Sequence, residues 1–182
     1  GRIGEVRYLQ GSCKGYYGGL GLMNIGTHII NNFLKFAGEC RSVTAMGLTD
    51  GHPVTPEDVV SSPLGMGTLV GEHITATLHF GGSLTASLLH NRFAPMDSTG
   101  YMLEVYGTEG RVFWNYRGAW WLPQPHYVPD GEHDQWQPLE PGHPPGYDPD
   151  CGASEDEYWF VEEYVRALEE HREHECSGAE GH

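Results

Sequence analysis

The stretch HITATLHFGGSLTASLLH, residues 73–90, decides the fold of this chain. On both sides of Gly81-Gly82, apolar side chains alternate with threonine, serine and histidine, which is typical of strands that each have one buried face. The glycine pair predicts a two-residue turn between the two strands. The stretch therefore predicts an antiparallel hairpin with one apolar and one polar face.

Further strands are predicted on either side of this hairpin. The segments YMLEVYG (101–107) and RVFWNYRG (111–118) predict a second hairpin across a short TEG turn. The segments IGEVRYLQGSCK (3–14) and CRSVTAMGLTD (40–50) predict two earlier strands. The segment AWWLPQP (119–125) predicts an edge strand that ends at its prolines.

Two helices complete the predicted pattern. Residues 22–37 carry apolar side chains at helical spacing, and Gly38 follows where a helix-ending glycine belongs. Residues 155–172 predict a second amphipathic helix, with Ser154 as N-cap and Glu157 completing a capping box. This order of elements predicts an α+β fold: a large, mostly antiparallel, open-faced sheet with helices packed on one face.

The length of 182 residues suits one domain. We expect residues 1–182 to form a single domain, interrupted at about 123–150 by an irregular excursion rich in Pro, Gly, His and Asp. Because the chain starts close to a strand and without a methionine, we expect it to be a fragment of a longer polypeptide.

Charge and cysteine content restrict the possible partners. A net charge of -15 argues against nucleic acid and anionic membrane, since phosphate groups are bound by clusters of Lys and Arg. No apolar run reaches the roughly 20 residues that span a bilayer. Four scattered cysteines without a CxxC motif favour reduced thiols. We expect a cytoplasmic protein, although any targeting signal would lie ahead of this chain and the compartment stays open.

Other side chains with functional potential have ordinary interpretations. Residues Trp114, Trp120 and Trp121 occupy strand-like positions, which favours packing over a sugar-stacking platform. No metal site is predicted, because none of the following residues has the spacing of a structural zinc site: His126, His133, His143, His171, His174 and Cys176.

The first predicted helix carries a polar stripe opposite its apolar face. Asn24, His28, Asn31 and Lys35 follow one another at spacings of four, three and four residues. One interpretation is a helix face exposed to water. The other is a site in which His28 exchanges a proton, Asn24 orients its ring, and the glycine-rich residues 18–21 let a ligand approach the backbone.

The chain resembles the C-terminal domain of the glucose–fructose oxidoreductase / inositol dehydrogenase (Gfo/Idh/MocA) family. The resemblance is carried by GRIGEVRYLQGS, GGLGLMNIGTHIINNFLKFAGECRSVTAMG, GEHITATLHFGGSLTASL, YMLEVYGTEGRVFW and FVEEYVRALEEH…CSG. Apart from the proline-rich excursion, it covers most of the chain.

The resemblance implies a two-domain, NAD(P)-dependent oxidoreductase that acts on a sugar, cyclitol or related polyol. NAD or NADP would be bound mainly by an N-terminal Rossmann domain that is absent from this chain, so no cofactor-binding residue is assigned here. The C-terminal domain would supply a wall of the substrate pocket and a homo-oligomer interface on the open sheet face. We therefore expect the isolated chain to be inactive.

The resemblance also implies site residues. The family's catalytic histidine matches His28, its glycine matches Gly26, and its aspartate position is occupied by Asn24. A lysine of the N-terminal domain would share the catalytic work with His28 and Asn24. The implied substrate-binding residues are Lys14, Tyr16, Tyr17 and Thr27.

Asn24 is a departure from the family pattern. An amide can orient His28 but carries no negative charge to stabilise an imidazolium, so His28 should be a weaker base than its counterparts beside an aspartate. Two alternatives stay open: an NAD-dependent glycosidase of the same family, and a non-catalytic binding or assembly module in which the loss of the carboxylate reflects lost catalysis.

Overall fold

The computed structural model describes residues 1–14, 22–62, 65, 67–91, 100–123, 135–140 and 142–177. The chain divides into two compact units, residues 1–139 and residues 140–182, and each is described by itself. The single-domain organisation expected from the length stays a prediction.

The first unit is built on a mixed sheet. The strands of the described residues are β1 (Val6–Lys14), β2 (Ser42–Thr49), β3 (His52–Pro53), β4 (Val60–Ser61), β5 (Thr68–Leu69), β6 (His73–His79), β7 (Thr85–Asn91), β8 (Met102–Gly107), β9 (Arg111–Asn115), β10 (Gly118–Leu122) and β11 (Gln137–Leu139). Nine of them form one sheet in the order β11-β10-β9-β8-β1-β7-β6-β2-β3, while β4 pairs with β5 separately. β1 runs parallel to β7, and every other recorded pairing is antiparallel, so the mostly antiparallel sheet is confirmed.

The hairpin of residues 73–90 forms with a longer turn than expected. Its last strand pair is His79 with Thr85, and the Phe80 N–H donates to the Leu84 carbonyl at 3.0 Å. Gly81, Gly82 and Ser83 therefore form a three-residue loop, and the predicted two-residue turn is wrong. Gly82, the middle residue of this loop, has a φ of 68°, a left-handed conformation that glycine adopts without a steric penalty.

The first predicted helix forms in two parts. Residues Leu22–Gly26 make one π-helical turn, and α1 (Thr27–Ala37) continues it as a regular α-helix. It ends at Gly38, whose φ is 78° and whose N–H donates to the Leu34 carbonyl at 2.8 Å. The predicted extent and the terminating glycine are confirmed, whereas the π geometry of the first five residues was not predicted.

The core lies between α1 and one face of the sheet. Its buried members are Leu9, Cys13, Ile29, Phe33, Leu78, Phe80, Ala86, Leu88, Tyr101, Leu103 and Val105. Gly11 in β1 lets the helix come close, because a Cβ at this position would lie 2.3 Å from Ile29 Cγ2 and 2.8 Å from Phe33 Cζ. Residues on the opposite side of the strands, among them Tyr8, Gln10 and Ser12 of β1, lie on the other face, which we call the open face.

The far edge of the sheet includes a strand that the sequence pattern did not indicate. β11 lies inside the proline-rich excursion and pairs antiparallel with β10, with Ala119 opposite Leu139. Its three residues, which include Pro138, are too few to show an alternating pattern. Because β11 is an edge strand, it tolerates the missing N–H of Pro138. Trp120 of β10 stacks on Phe113 of β9 at 5.8 Å between ring centroids, the packing role expected for the tryptophans.

The second unit contains α2 (Glu155–Glu169). Ser154 and Glu157 form the predicted capping box, with the Glu157 N–H donating to Ser154 Oγ and the Ser154 N–H donating to Glu157 Oε2. The helix ends before residue 172, because His171 adopts a left-handed φ of 52° and the Arg172 N–H turns back to the Ala167 carbonyl at 3.0 Å.

Short 3₁₀ turns occupy Pro56–Asp58 in the first unit and Pro149–Cys151 in the second. No helix in the described parts of the chain is long and apolar enough to cross a membrane.

Candidate functional site

His28 lies in the first turn of α1 and its side chain is exposed. The neighbouring Ile29 and, one turn later, Phe33 are buried against the sheet, so His28 faces away from the core. Asn32 Nδ2 donates to the His28 carbonyl at 2.8 Å. The imidazole is therefore free of the core and accessible to a ligand.

The π turn ahead of α1 holds two of the other predicted site residues together. Thr27 Oγ1 donates to the Asn24 carbonyl at 2.8 Å, and both side chains are half-buried. Within the part of the chain that the structure describes, no hydrogen bond joins the Asn24 amide to the His28 ring. That contact was expected from regular α-helical i,i+4 spacing, whereas a π turn changes the angle between residues four apart. The orienting role of Asn24 stays a prediction.

Gly26 brings this turn against the sheet. It is buried, and a Cβ here would lie 2.4 Å from Leu22 Cδ1 and 3.4 Å from Cys13 Sγ. Any larger residue would displace Leu22 or lift the turn away from β1. The backbone that leads into His28 therefore packs closely over Leu22 and near the sulfur of Cys13.

The remaining predicted substrate contacts lie at the edge of what the structure describes. Lys14 is the last residue of β1 and is paired in register with Asn91 of the parallel strand β7. Nothing is described of the Lys14 side chain, and Tyr16 and Tyr17 lie outside the described residues. The structure thus brings Asn24, Thr27 and His28 into adjoining turns.

The described residues form no unit of the kind that binds a nicotinamide dinucleotide. Such a cofactor binds where a glycine-rich turn links a strand to the crossover helix of a βαβ unit. Here the one parallel pair in the described residues, β1 and β7, is separated in sequence by α1 and five further strands. Among the same residues, no group of three or more His, Cys, Asp or Glu side chains is arranged to hold a metal ion.

A buried Cys13–His90 pair lies below the site and was missed from the sequence. Cys13 Sγ is 3.3 Å from His90 Nδ1, and the two residues are partners in the parallel register of β1 and β7. Burial raises the pKa of the Cys13 thiol to about 12, so it stays protonated at neutral pH. The one signal in the sequence was His90 on the otherwise apolar face of its strand.

A second polar cluster occupies the open face of the sheet. The Arg111 guanidinium pairs with Glu104, which is only 8% exposed, and lies 4.4 Å from the centre of the Tyr106 ring. The Tyr106 hydroxyl donates to Glu104 Oε2 at 2.9 Å. Burial and this carboxylate raise the pKa of Tyr106, so the phenol stays neutral.

The centre of the open face is a shallow groove of about 590 Å³. Hydroxyl and amide side chains line much of it, including Gln10, Ser12, Thr44, Thr75, Thr77 and Ser87. This composition differs from the apolar face under α1, and it offers hydrogen-bonding groups across the four neighbouring strands β1, β7, β6 and β2.

The fold of this chain is similar to part of several solved oxidoreductases. A levoglucosan dehydrogenase in complex with NADH and levoglucosan aligns with a TM-score of 0.67 and 19% identity, covering 100% of this chain and 54% of that one. An oxidoreductase domain protein from Kribbella flavida aligns with a TM-score of 0.69 and 19% identity, covering 99% and 53%. A UDP-N-acetylglucosamine 3-dehydrogenase from Acidithiobacillus ferrooxidans aligns with a TM-score of 0.63 and 14% identity, covering 98% and 50%.

At these identities the likeness establishes the fold, and this chain spans about half the length of the three structures. No curated protein matches the sequence. The sequence model described as GFO/IDH/MocA C-terminal domain matches residues 1–113, which is more than half of the chain. The chain therefore belongs to the GFO/IDH/MocA C-terminal domain family.

Proposed function

We propose that this chain is the substrate-binding and oligomerisation domain of an NAD(P)-dependent oxidoreductase that acts on a sugar, cyclitol or related polyol. The observation that carries the proposal is the exposed His28 in the first turn of α1, next to Asn24 and Thr27 and at the end of the sheet where β1 leads toward the helix. The similar structures include dehydrogenases solved with NADH and a sugar, which supports the substrate class.

In this proposal His28 assists removal of the proton from a substrate hydroxyl. An imidazole suits this task because it gains and loses a proton near neutral pH. Hydride acceptance belongs to a nicotinamide, NAD or NADP, bound by another domain of the full-length protein. A lysine of that domain shares the role of base, as the family resemblance implies.

The other residues of the site bind and orient. Asn24 and Thr27 lie four residues and one residue before His28, and in this proposal their polar atoms bind the hydroxyls of the polyol that reaches the imidazole. Lys14, Tyr16 and Tyr17 complete the proposed substrate wall, in the segment that links β1 to the π turn. Amides and hydroxyls both donate and accept hydrogen bonds, which matches the alternating donors and acceptors of a polyol.

We also propose a homo-oligomer that uses the open face. The support is the groove of hydroxyl and amide side chains, flanked by the Glu104–Arg111 pair and by Phe113 and Trp120. Aromatic residues and arginine are enriched in protein interfaces. We also propose a cytoplasmic location, with which four free thiols are compatible.

The proposal is tested with the full-length protein and a panel of sugars, cyclitols and aryl glycosides. We expect one or more sugars or polyols to produce NADH or NADPH, measured by absorbance at 340 nm. Release of the aglycone without net NAD(P)H would identify the NAD-dependent glycosidase instead. No turnover with any member of the panel, together with no substrate-dependent change in cofactor fluorescence, would favour the non-catalytic module.

A further inference from the structure

The Cys13–His90 pair is a polar contact in a mostly apolar core, which also contains Tyr101. Cys13 is 0% exposed and His90 1% exposed, and they lie on the two parallel strands beneath the start of the helix. Burial of polar groups is costly unless each finds a partner, so such a pair holds a defined geometry where two aliphatic residues would be interchangeable.

The Cys13 thiol contacts two groups of the neighbouring strand. Because burial raises the pKa of Cys13 to about 12, the sulfur carries its hydrogen at neutral pH. It donates to the Leu89 carbonyl at 3.5 Å and lies 3.3 Å from His90 Nδ1, a contact in which the imidazole tautomer sets which group donates. Both lie on β7, so the thiol ties the carboxyl ends of β1 and β7 together.

The same sulfur lies next to the segment that presents His28. A Cβ built on Gly26, the last residue of the π turn, would lie 3.4 Å from it, so only the absence of a side chain at Gly26 separates the turn from the thiol. Only Thr27 separates Gly26 from His28, and Thr27 is itself fixed by its hydrogen bond to the Asn24 carbonyl. A change at Cys13 therefore reaches His28 through two residues of backbone.

We propose that Cys13 and His90 are positioning residues that set the height and orientation of the His28 imidazole above the sheet. This inference rests on the proposed role of His28 as a proton acceptor. Neither residue touches substrate in this proposal, and both act through the Gly26 backbone. A displacement of a catalytic group by about 1 Å can lower the rate up to about a hundredfold. Contacts that fix the backbone of the π turn should therefore raise kcat.

The test uses the full-length enzyme with Cys13→Ala, and Cys40→Ala as the matched control. Cys40 is a half-buried thiol that bonds only to the Ser42 and His79 carbonyls among the described residues, away from the start of α1. We expect Cys13→Ala to lower kcat at least about tenfold with KM changed less than about twofold, and Cys40→Ala to change neither. Cys13→Ser keeps the donor and should recover most of the lost kcat; it also serves if Cys13→Ala fails to fold.

A double-mutant cycle separates positioning from a general loss of stability. If Cys13 acts through His28, Cys13→Ala will not lower kcat further in a His28→Ala background. If its role is only to stabilise the fold, the two losses in kcat will add. Additive losses would overturn the proposal.

A second readout keeps the inference separate from the proposed function. The ring C–H resonance of His28, assigned by its disappearance in His28→Ala, is recorded by NMR in protein labelled on histidine. We expect it to move in Cys13→Ala and in His90→Asn but not in Cys40→Ala. A moved resonance with unimpaired turnover of His28→Ala would support positioning and reject the catalytic role of His28. An unmoved resonance would overturn the positioning proposal.

Discussion

Gly11 is the residue at which strand and helix come closest. A methyl group here would overlap Ile29 Cγ2 at 2.3 Å and Phe33 Cζ at 2.8 Å, both fully buried atoms of α1. We predict that Gly11→Ala lowers the free energy of unfolding by about 1–3 kcal/mol, the usual cost of overpacking a core. Denaturant unfolding measures the change. Gly47→Ala in β2 is the control, because its Cβ would meet Val54 at an ordinary 3.4 Å, and equal effects of the two substitutions would contradict the account.

Position 24, one turn ahead of His28, is where a carboxylate could be introduced to change the basicity of the imidazole. We predict that Asn24→Asp moves the acidic limb of the kcat/KM profile to higher pH, since a nearby carboxylate stabilises the protonated ring. Asn24→Leu, which is similar in volume and uncharged, should leave the limb unmoved. Steady-state kinetics of the full-length enzyme between about pH 5 and 9 provide the comparison. The same acidic limb in both variants would show that residue 24 does not influence His28.

At the scale of elements, an ion pair between Arg172 and Glu163, which we call the clamp, joins the residues that follow α2 to the helix. Arg172 donates from Nη1 and Nη2 to the two carboxylate oxygens of Glu163, at 2.6 and 2.8 Å. These hydrogen bonds hold the pKa of Glu163 at about 2, below its ordinary 4.5. A carboxylate whose pKa is lowered by folding stabilises the folded state above its unfolded pKa, and the contribution is lost as the pH falls from about 4.5 towards 2.

We predict that Glu163→Gln lowers the melting temperature at pH 7, and that this difference from the unmodified protein shrinks as the pH falls below about 4.5. Thermal unfolding followed by circular dichroism measures it. Glu169→Gln removes a carboxylate that forms no ion pair with the described residues, at the last position of the same helix. It should have little effect at either pH. A Glu163→Gln difference that is constant with pH would contradict the clamp.

The elements also show how far the sequence could be read. Alternation and helical spacing located α1, α2 and the two central hairpins, because each pattern is local and repeated over at least five residues. The π turn was not predictable, since one turn of it has the same apolar spacing as an α-helix. β11 was missed because three residues around Pro138 carry no period.

The candidate site was predictable only in part. His28 could be proposed because its motif is contained in one helix; its exposure fits both interpretations of the polar stripe, and its role stays a prediction. The Cys13–His90 contact joins residues 77 positions apart and depends on β1 lying parallel to β7. Alternation identifies strands but not their neighbours, so this part of the site required the structure.

At the scale of the whole molecule, the open face is the proposed interface of the homo-oligomer. Thr77 lies at its centre, paired in register with Thr44 on one side and Ser87 on the other. We predict that Thr77→Arg weakens the oligomer, since burying an unpaired charge in an interface is costly. Sedimentation velocity of the full-length protein should show a smaller species. Thr68→Arg, on the separate strand β5, is the control, and an unchanged mass in Thr77→Arg would remove the open face from the interface.

The proposed part of the exposed His28 in the oxidation of a polyol is tested by kcat/KM of the full-length enzyme carrying His28→Ala. The control is His52→Ala, which removes an exposed histidine on the sheet edge. We predict a loss of about a hundredfold or more for His28→Ala, the usual contribution of a general base, and less than twofold for His52→Ala. Unimpaired turnover by His28→Ala would contradict it.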